Sequence, residues 1–121
     1  LGRKTMLRLI SFFLMMAVAG SAFSANAWVT GKVTRTLIDD TYFGGCMIVL
    51  LPGPETLGLN CPAVWVTLSC SGDYNSKEVG YQKLQAAQLA LVTGTTVHVW
   101  VDDTKKHNGY CYARRIDNLS Y

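Results

Sequence analysis

Residues 89–103, LALVTGTTVHVWVDD, restrict the possible folds more than any other stretch of the chain. Upstream of Gly94, Leu84, Ala87 and Leu91 recur at helical spacing, with Gln82, Lys83 and Gln85 off that stripe. Asn75, with Glu78 three residues later, is the expected helix N-cap. Downstream of Gly94 the period drops to two, and Val97, Val99 and Val101 alternate with His98 and Trp100. Gly94 suits the junction, because glycine tolerates the left-handed conformation that ends many helices. A helix therefore runs straight into a strand over residues 95–101. The outer face of that strand carries an imidazole and an indole, and something has to cover them.

Strand patterns lie on both sides of this junction. Residues 28–38 alternate Val29, Val33 and Leu37 with polar partners, and Gly31 among them predicts a bulge or a sharp bend. Residues 46–51, CMIVLL, form a short continuous apolar run, the pattern of a buried strand. Residues 63–70 alternate again, with Val64, Val66 and Leu68 on one face and Trp65 and Thr67 on the other. DDTYFGG (39–45) is a turn, and the Pro- and Gly-rich 52–62 segment is a loop. Residues 102–110 read as a hairpin connection with Asn108-Gly109 as its turn signal, leading into a fifth strand over 110–116.

Three strands, one helix and two strands is the order of the oligonucleotide/oligosaccharide-binding (OB) barrel. In that mainly β fold the helix sits between strands three and four and plugs one end. An open α+β sheet with the helix on one face is the alternative.

The first 27 residues read as a secretory signal peptide: Arg3, Lys4 and Arg8, an apolar run over 9–20, then Ala25-Asn26-Ala27 as the cleavage site. Met6 is the expected start, with residues 1–5 upstream of it. The apolar run is shorter than the roughly 18–20 residues of a membrane span. No cysteine follows it closely, so a lipid anchor is not expected either. Residues 28–121 then form one domain, secreted or periplasmic, with no membrane insertion. Eleven Lys/Arg stand against eight Asp/Glu, and the excess is the leader's Arg3, Lys4 and Arg8. A neutral domain offers no electrostatic footprint for a phosphate backbone, so nucleic acid is not an expected partner.

All four cysteines, Cys46, Cys61, Cys70 and Cys111, lie after the leader. In an exported chain that even count reads as two disulfides, and no Cys-x-x-Cys spacing favours zinc. In an OB barrel strands two and three are antiparallel, which sets Cys46 beside Cys70. Strands three and five are parallel, which sets Cys61 beside Cys111. A 46–61/70–111 connectivity would instead favour an unrelated α+β fold.

YFGGC before the second strand, Cys70 closing the third, and Thr93, Gly94, Val97 and Val99 in AAQLALVTGTTVHVWV resemble the pertussis-like toxin B subunits, the family of subtilase cytotoxin B subunits. The likeness covers about residues 38–101, with a longer 52–62 loop and Cys61 and Cys111 as an added pair. It implies a ring of five subunits that binds cell-surface glycans and carries a separate catalytic A subunit. The helix face with Gln82, Lys83 and Gln85 would line the central pore. The family's sugar-contacting residues do not align onto identical residues of this chain.

Trp65, His98 and Trp100 are expected at a subunit interface, since outward indoles on a small barrel expose unusual apolar area. Thr30, Lys32, Tyr42, Tyr74, His107 and Asn108 are the candidate glycan contacts, being aromatic or short polar residues in or near loops and strand ends. Asp39-Asp40 and Asp102-Asp103 read as turn formers rather than metal ligands, and no metal or cofactor is expected. No nucleophile elbow, zinc-protease helix or phosphate loop occurs, so the chain is not read as an enzyme. The alternative function is a monomeric periplasmic OB-fold protein that binds peptides or small ligands in a structural or protective role.

Overall fold

The computed structural model describes residues 25–120. The expected signal peptide therefore lies, but for residues 25–27, outside the described residues, as does the Met6 start. Among the described residues no helix is long and apolar enough to cross a membrane.

Five strands, β1 (Asn26–Ile38), β2 (Cys46–Leu51), β3 (Trp65–Thr67), β4 (Thr96–His107) and β5 (Tyr110–Asn118), close an OB-type barrel in the order β1-β2-β3-β5-β4. β1 is long enough to serve two neighbours. Its first half pairs antiparallel with β4, its second half with β2, and Lys32 belongs to both registers. The sheet has to bend where β1 changes partner. Gly31 makes room there: a Cβ on it would lie 2.6 Å from the Leu51 carbonyl oxygen. The expected bulge falls just beyond it, between Val33 and Arg35. Gly31→Ala should lose about 1–3 kcal/mol by overpacking, because backbone rather than a movable side chain is in the way. Urea unfolding of the two proteins checks this, and an unchanged midpoint would contradict the tight approach.

β3 is only Trp65–Thr67, far shorter than the alternation over 63–70 predicts. The reason is conformational. Val64 (φ 64°) and Ser69 (φ 55°) are both left-handed, so the strand is broken on each side. Val64 is held there by its neighbours: its N–H donates to the Glu55 carboxylate at 2.9 Å, and its carbonyl accepts from Leu50 N–H at 2.8 Å. β3 then runs parallel to β5 through Thr67 and Tyr112, which closes the barrel.

The helix α1 (Lys77–Thr93) lies between β3 and β4. Ser76 rather than Asn75 caps it, accepting from Val79 N–H at 3.2 Å. Asn75 is occupied elsewhere, donating to the Ser69 carbonyl and accepting from Lys83 and Tyr112. Gly80, Lys83, Leu84, Ala87 and Ala90 form the buried stripe, and Gly94 ends the helix at φ 69°. Leu91, expected on that stripe, is exposed, and Ala90 takes its place. Gly80 lets the helix touch the chain after β3, since a Cβ would lie 2.8 Å from Cys70 Cα. The core between helix and barrel comprises the alternate residues Val29, Val33, Val66, Val97, Val99 and Val101, with Ile48 and Leu50 of the fully apolar β2.

Lys83 corrects the reading of the helix's polar face, for it points inward. Its Nζ donates to Asn75 Oδ1 (2.8 Å), Tyr112 Oη (3.0 Å) and the Ala113 carbonyl (3.1 Å). Burial, with the Arg114 charge second, lowers it from 10.5 to about 8. Below about pH 8 folded and unfolded chains both carry this proton; from there to 10.5 only the unfolded chain keeps it. Stability attributable to Lys83 therefore rises with pH across that window. Tyr112 opposes the trend only above its ordinary 10.0, since burial raises it. Thermal melts between about pH 8 and about pH 10 should show a midpoint climbing more steeply in the wild type than in Lys83→Met. Parallel slopes would mean the ammonium is not desolvated.

The fourth strand also outruns its expectation, continuing through 102–107 to a two-residue turn. Asn108 (φ 52°) and Gly109 (φ 85°) supply the paired left-handed residues of a tight hairpin. Its irregular middle, between Asp102 and Lys106, is supported by Asp102, whose Oδ1 accepts from Thr104 N–H at 2.8 Å.

The disulfides are Cys46–Cys70 and Cys61–Cys111, with Cα–Cα distances of 5.5 and 5.6 Å. This is the connectivity that the barrel topology predicts. Two such bridges mark an oxidising, extracytoplasmic environment.

Candidate functional site

The outer face of β1, β4 and β5 gathers the most distinctive chemistry. Since Val29, Val97, Val99 and Val101 point into the barrel, their neighbours point out. Trp28 pairs directly with Trp100, and Thr30 with His98. On the other side of β4, Trp100 pairs with Arg115 and His98 with Asp117. The Trp28 ring lies 4.1 Å from that of His98 and 5.1 Å from that of Trp100, centroid to centroid. The Arg115 guanidinium stands 5.5 Å from the Trp28 ring while its Nε donates to Asp117 Oδ1 at 3.0 Å. Residues of one chain thus half-bury the imidazole and indole of β4.

A β-bulge adds the second guanidinium. Trp100 faces Arg115 while Val101 faces Ala113, so Arg114 is the extra residue on β5. A bulge of this kind turns two successive side chains to the same side, and both Arg114 and Arg115 are exposed. Trp28, Trp100, Arg114 and Arg115 together line a depression of about 500 Å³. Indole faces pack against apolar C–H surfaces, and guanidinium forks donate to carboxylate, phosphate or hydroxyl oxygens. The arrangement is suited to binding a ligand with an apolar face and an acidic or oxygen-rich edge.

The expected glycan contacts separate into three places. Thr30 is on the indole face, beside His98. Lys32 is at the helix C-terminus, where its Nζ donates to the Gly94 carbonyl. Tyr42, Tyr74, His107 and Asn108 sit together at the end of the barrel formed by the β1–β2 and β4–β5 connections. There Asn108 Oδ1 accepts from Phe43 N–H at 2.7 Å, and the Phe43 ring meets Tyr110 at 5.8 Å. Tyr74 packs at a tilt between His107 (4.6 Å) and Tyr112 (5.3 Å), and its hydroxyl donates to the Lys106 carbonyl at 2.6 Å. These contacts make Tyr74 and His107 parts of the barrel's end. Tyr42 is the exposed aromatic there.

This end also brings a serine, a histidine and an aspartate together. His107 Nε2 lies 3.0 Å from Ser69 Oγ and 3.7 Å from Asp73 Oδ2. A catalytic relay needs the carboxylate on the nitrogen opposite the serine, whereas both groups here address the same one. Ser69 is moreover fully buried. The group is a latch: Gly44 packs so tightly on the His107 ring that a Cβ would lie 2.5 Å from it.

Nearby, Asp39, Asp40, Lys77 and Tyr81 border a second depression of about 290 Å³. Backbone N–H groups of Tyr42 and then Thr41 hold the Asp39 carboxyl below its ordinary value, as in a turn. Among the described residues no group of three or more His, Cys, Asp or Glu could hold a metal ion.

Of the residues expected at an interface, His98 and Trp100 share one surface, but Trp65 does not. It lies on β3 beneath the Arg35 guanidinium, 5.4 Å from its ring centre. Sequence reasoning missed Trp28, Arg114 and Arg115. Trp28 was legible in principle, since the alternation that turns Val29 inward turns it outward. Arg114-Arg115 signals a bulge, because two adjacent charges interrupt an alternating strand.

Comparison of the chain with protein-family models, curated proteins and solved structures gives no match. Fold and site define a class: a small OB-type barrel with two disulfides and an indole–arginine outer face.

Proposed function

We propose that this is an exported carbohydrate-binding protein of the B-subunit type, whose outer face on β1, β4 and β5 takes an acidic glycan. The observation that carries this reading is the depression in which Trp28 and Trp100 meet Arg114 and Arg115. The indoles pack on a sugar's C–H face while the guanidiniums bind a carboxylate or a row of hydroxyls. Two disulfides support export.

Assembly into a ring of five, with a catalytic A subunit carried on it, is part of the same proposal and follows from the family resemblance. The exposed outer face of α1 is the surface for it. Leu89 is 58% and Val92 84% exposed, an apolar area that a second copy would cover.

A monomeric periplasmic barrel that binds peptides or small ligands is the second reading. It is favoured by the way Trp28, itself under Arg115, already packs on His98 and Trp100 within one chain.

An array of neutral and acidic glycans, read together with native mass spectrometry of the oxidised protein, tests both. Acidic-glycan binding with a fivefold mass supports the first reading. A monomer that binds no glycan overturns it in favour of the second.

A further inference from the structure

We infer that proteolytic processing frees the chain at Ala25, and that the new α-ammonium group is held by the Asp103 carboxylate. The inference rests on the export reading and is independent of the ligand.

Of the leader bonds that satisfy the small-residue rule for signal peptidases, two lie at the start of β1. One follows Ala25-Asn26-Ala27, the other Ala22-Phe23-Ser24. The fold distinguishes them. β1 begins at Asn26, where Asn26 pairs with Asp102 and Ala27 with Val101. Ala25 and Ala27 are partly buried and packed against the core. Cleavage after Ala27 would strip these pairs from β4 and leave Trp28, half of the indole pair, as a fraying terminus. Cleavage after Ser24 keeps all of β1 and the Ala25 contacts.

Ala25 is also anchored at its nitrogen. Its N–H donates to Asp103 Oδ1 at 2.7 Å, and Asp103 N–H returns a bond to the Ala25 carbonyl at 3.0 Å. The second carboxylate oxygen, Oδ2, accepts from Asn60 N–H at 3.2 Å. Asp103 therefore clamps the start of β1 to the loop that Cys61–Cys111 closes.

In the hydrolysis, a signal peptidase adds water across the Ser24–Ala25 amide. Hydroxide joins the Ser24 carbonyl carbon, and the C–N bond breaks. The Ala25 nitrogen leaves with a proton and takes another from solvent to become an ammonium. A neutral amide donor to the carboxylate becomes a cation facing it, so both partners of the contact are then charged.

The test is secretion of the full 121-residue chain from a bacterial host, with N-terminal sequencing of the folded product. Ala25 as first residue is the expected result. Trp28 as first residue overturns the inference and leaves export intact, whereas an unprocessed chain overturns both. A second measurement follows amine-selective acetylation of the α-amino group at neutral pH in wild type and Asp103→Asn. Release of the held ammonium should speed labelling several-fold in the variant. Equal rates would overturn the Asp103 contact.

Discussion

Replacing Cys61 and Cys111 together by Ala should lower the unfolding free energy by about 4 kcal/mol, the loop-entropy value for a closed loop of this size. Their separation of 50 residues makes it the larger of the two loops, against 24 for Cys46–Cys70. For a domain whose whole stability is of order 5–15 kcal/mol, that is a major fraction. Without the bridge, the 52–62 loop keeps Leu59 in the core and the Glu55–Val64 bond, and two further polar contacts tie Asn60 to the barrel's rim. Lys106 Nζ donates to the Asn60 carbonyl at 2.7 Å, and Asn60 N–H donates to Asp103. Urea unfolding of the oxidised wild type and the double variant measures the difference. A change below about 1 kcal/mol would mean that these contacts hold the loop without the disulfide.

Trp28→Ala should weaken binding of an acidic array glycan by about thirtyfold or more, the scale of an aromatic hot spot in a desolvated contact. The loss has two parts. The indole no longer faces the ligand, and Trp100 and His98 lose the ring that orients them at 5.1 and 4.1 Å. Arg114→Gln should weaken the same glycan while sparing its neutral analogue, since only the charge-assisted donor is removed. Trp65→Ala, on the far side of the barrel under Arg35, is the control and should stay within about twofold, as expected of a residue outside the contact. Titration of each variant, with circular dichroism to verify folding, decides the matter. If Trp65→Ala lost as much affinity as Trp28→Ala, the indole–arginine face would not be the site.

The barrel was largely legible because local rules and tertiary structure agree over most of its length. The apolar run of β2, the alternation of β1 and β4 and the glycine after the helix each meet the environment they predict. Disagreement arises where a residue's partner is distant in sequence. Asn75 looks like a cap but is drawn inward by Lys83 and Tyr112, so the cap passes to Ser76. Lys83 looks like a surface lysine until Tyr112 and the Ala113 carbonyl, 29 and 30 residues away, accept its hydrogen bonds. Asp102-Asp103 looks like a strand end, yet β4 continues because those carboxylates are satisfied by Thr104, Ala25 and Asn60.

The candidate site was legible only in fragments. His98 and Trp100 stood out because they break the polar pattern expected of an outer face. Thr30 lay on the same face. Trp65 does not join them on that face, because residues that share an outward direction on β3 and β4 look away from different sides of a closed barrel.

The sequence by itself determined the order of elements, the barrel class and, through that topology, the disulfide pairing, because periodicity and turn chemistry are local and strand direction follows from order. Only the tertiary structure decided which outward residues meet. The register of β1 on β4 brings Trp28 to Trp100, and one extra residue in β5 turns Arg114 and Arg115 to the same side. Register and bulges are set by how whole strands pack over a shared core, and no short stretch of sequence contains that information.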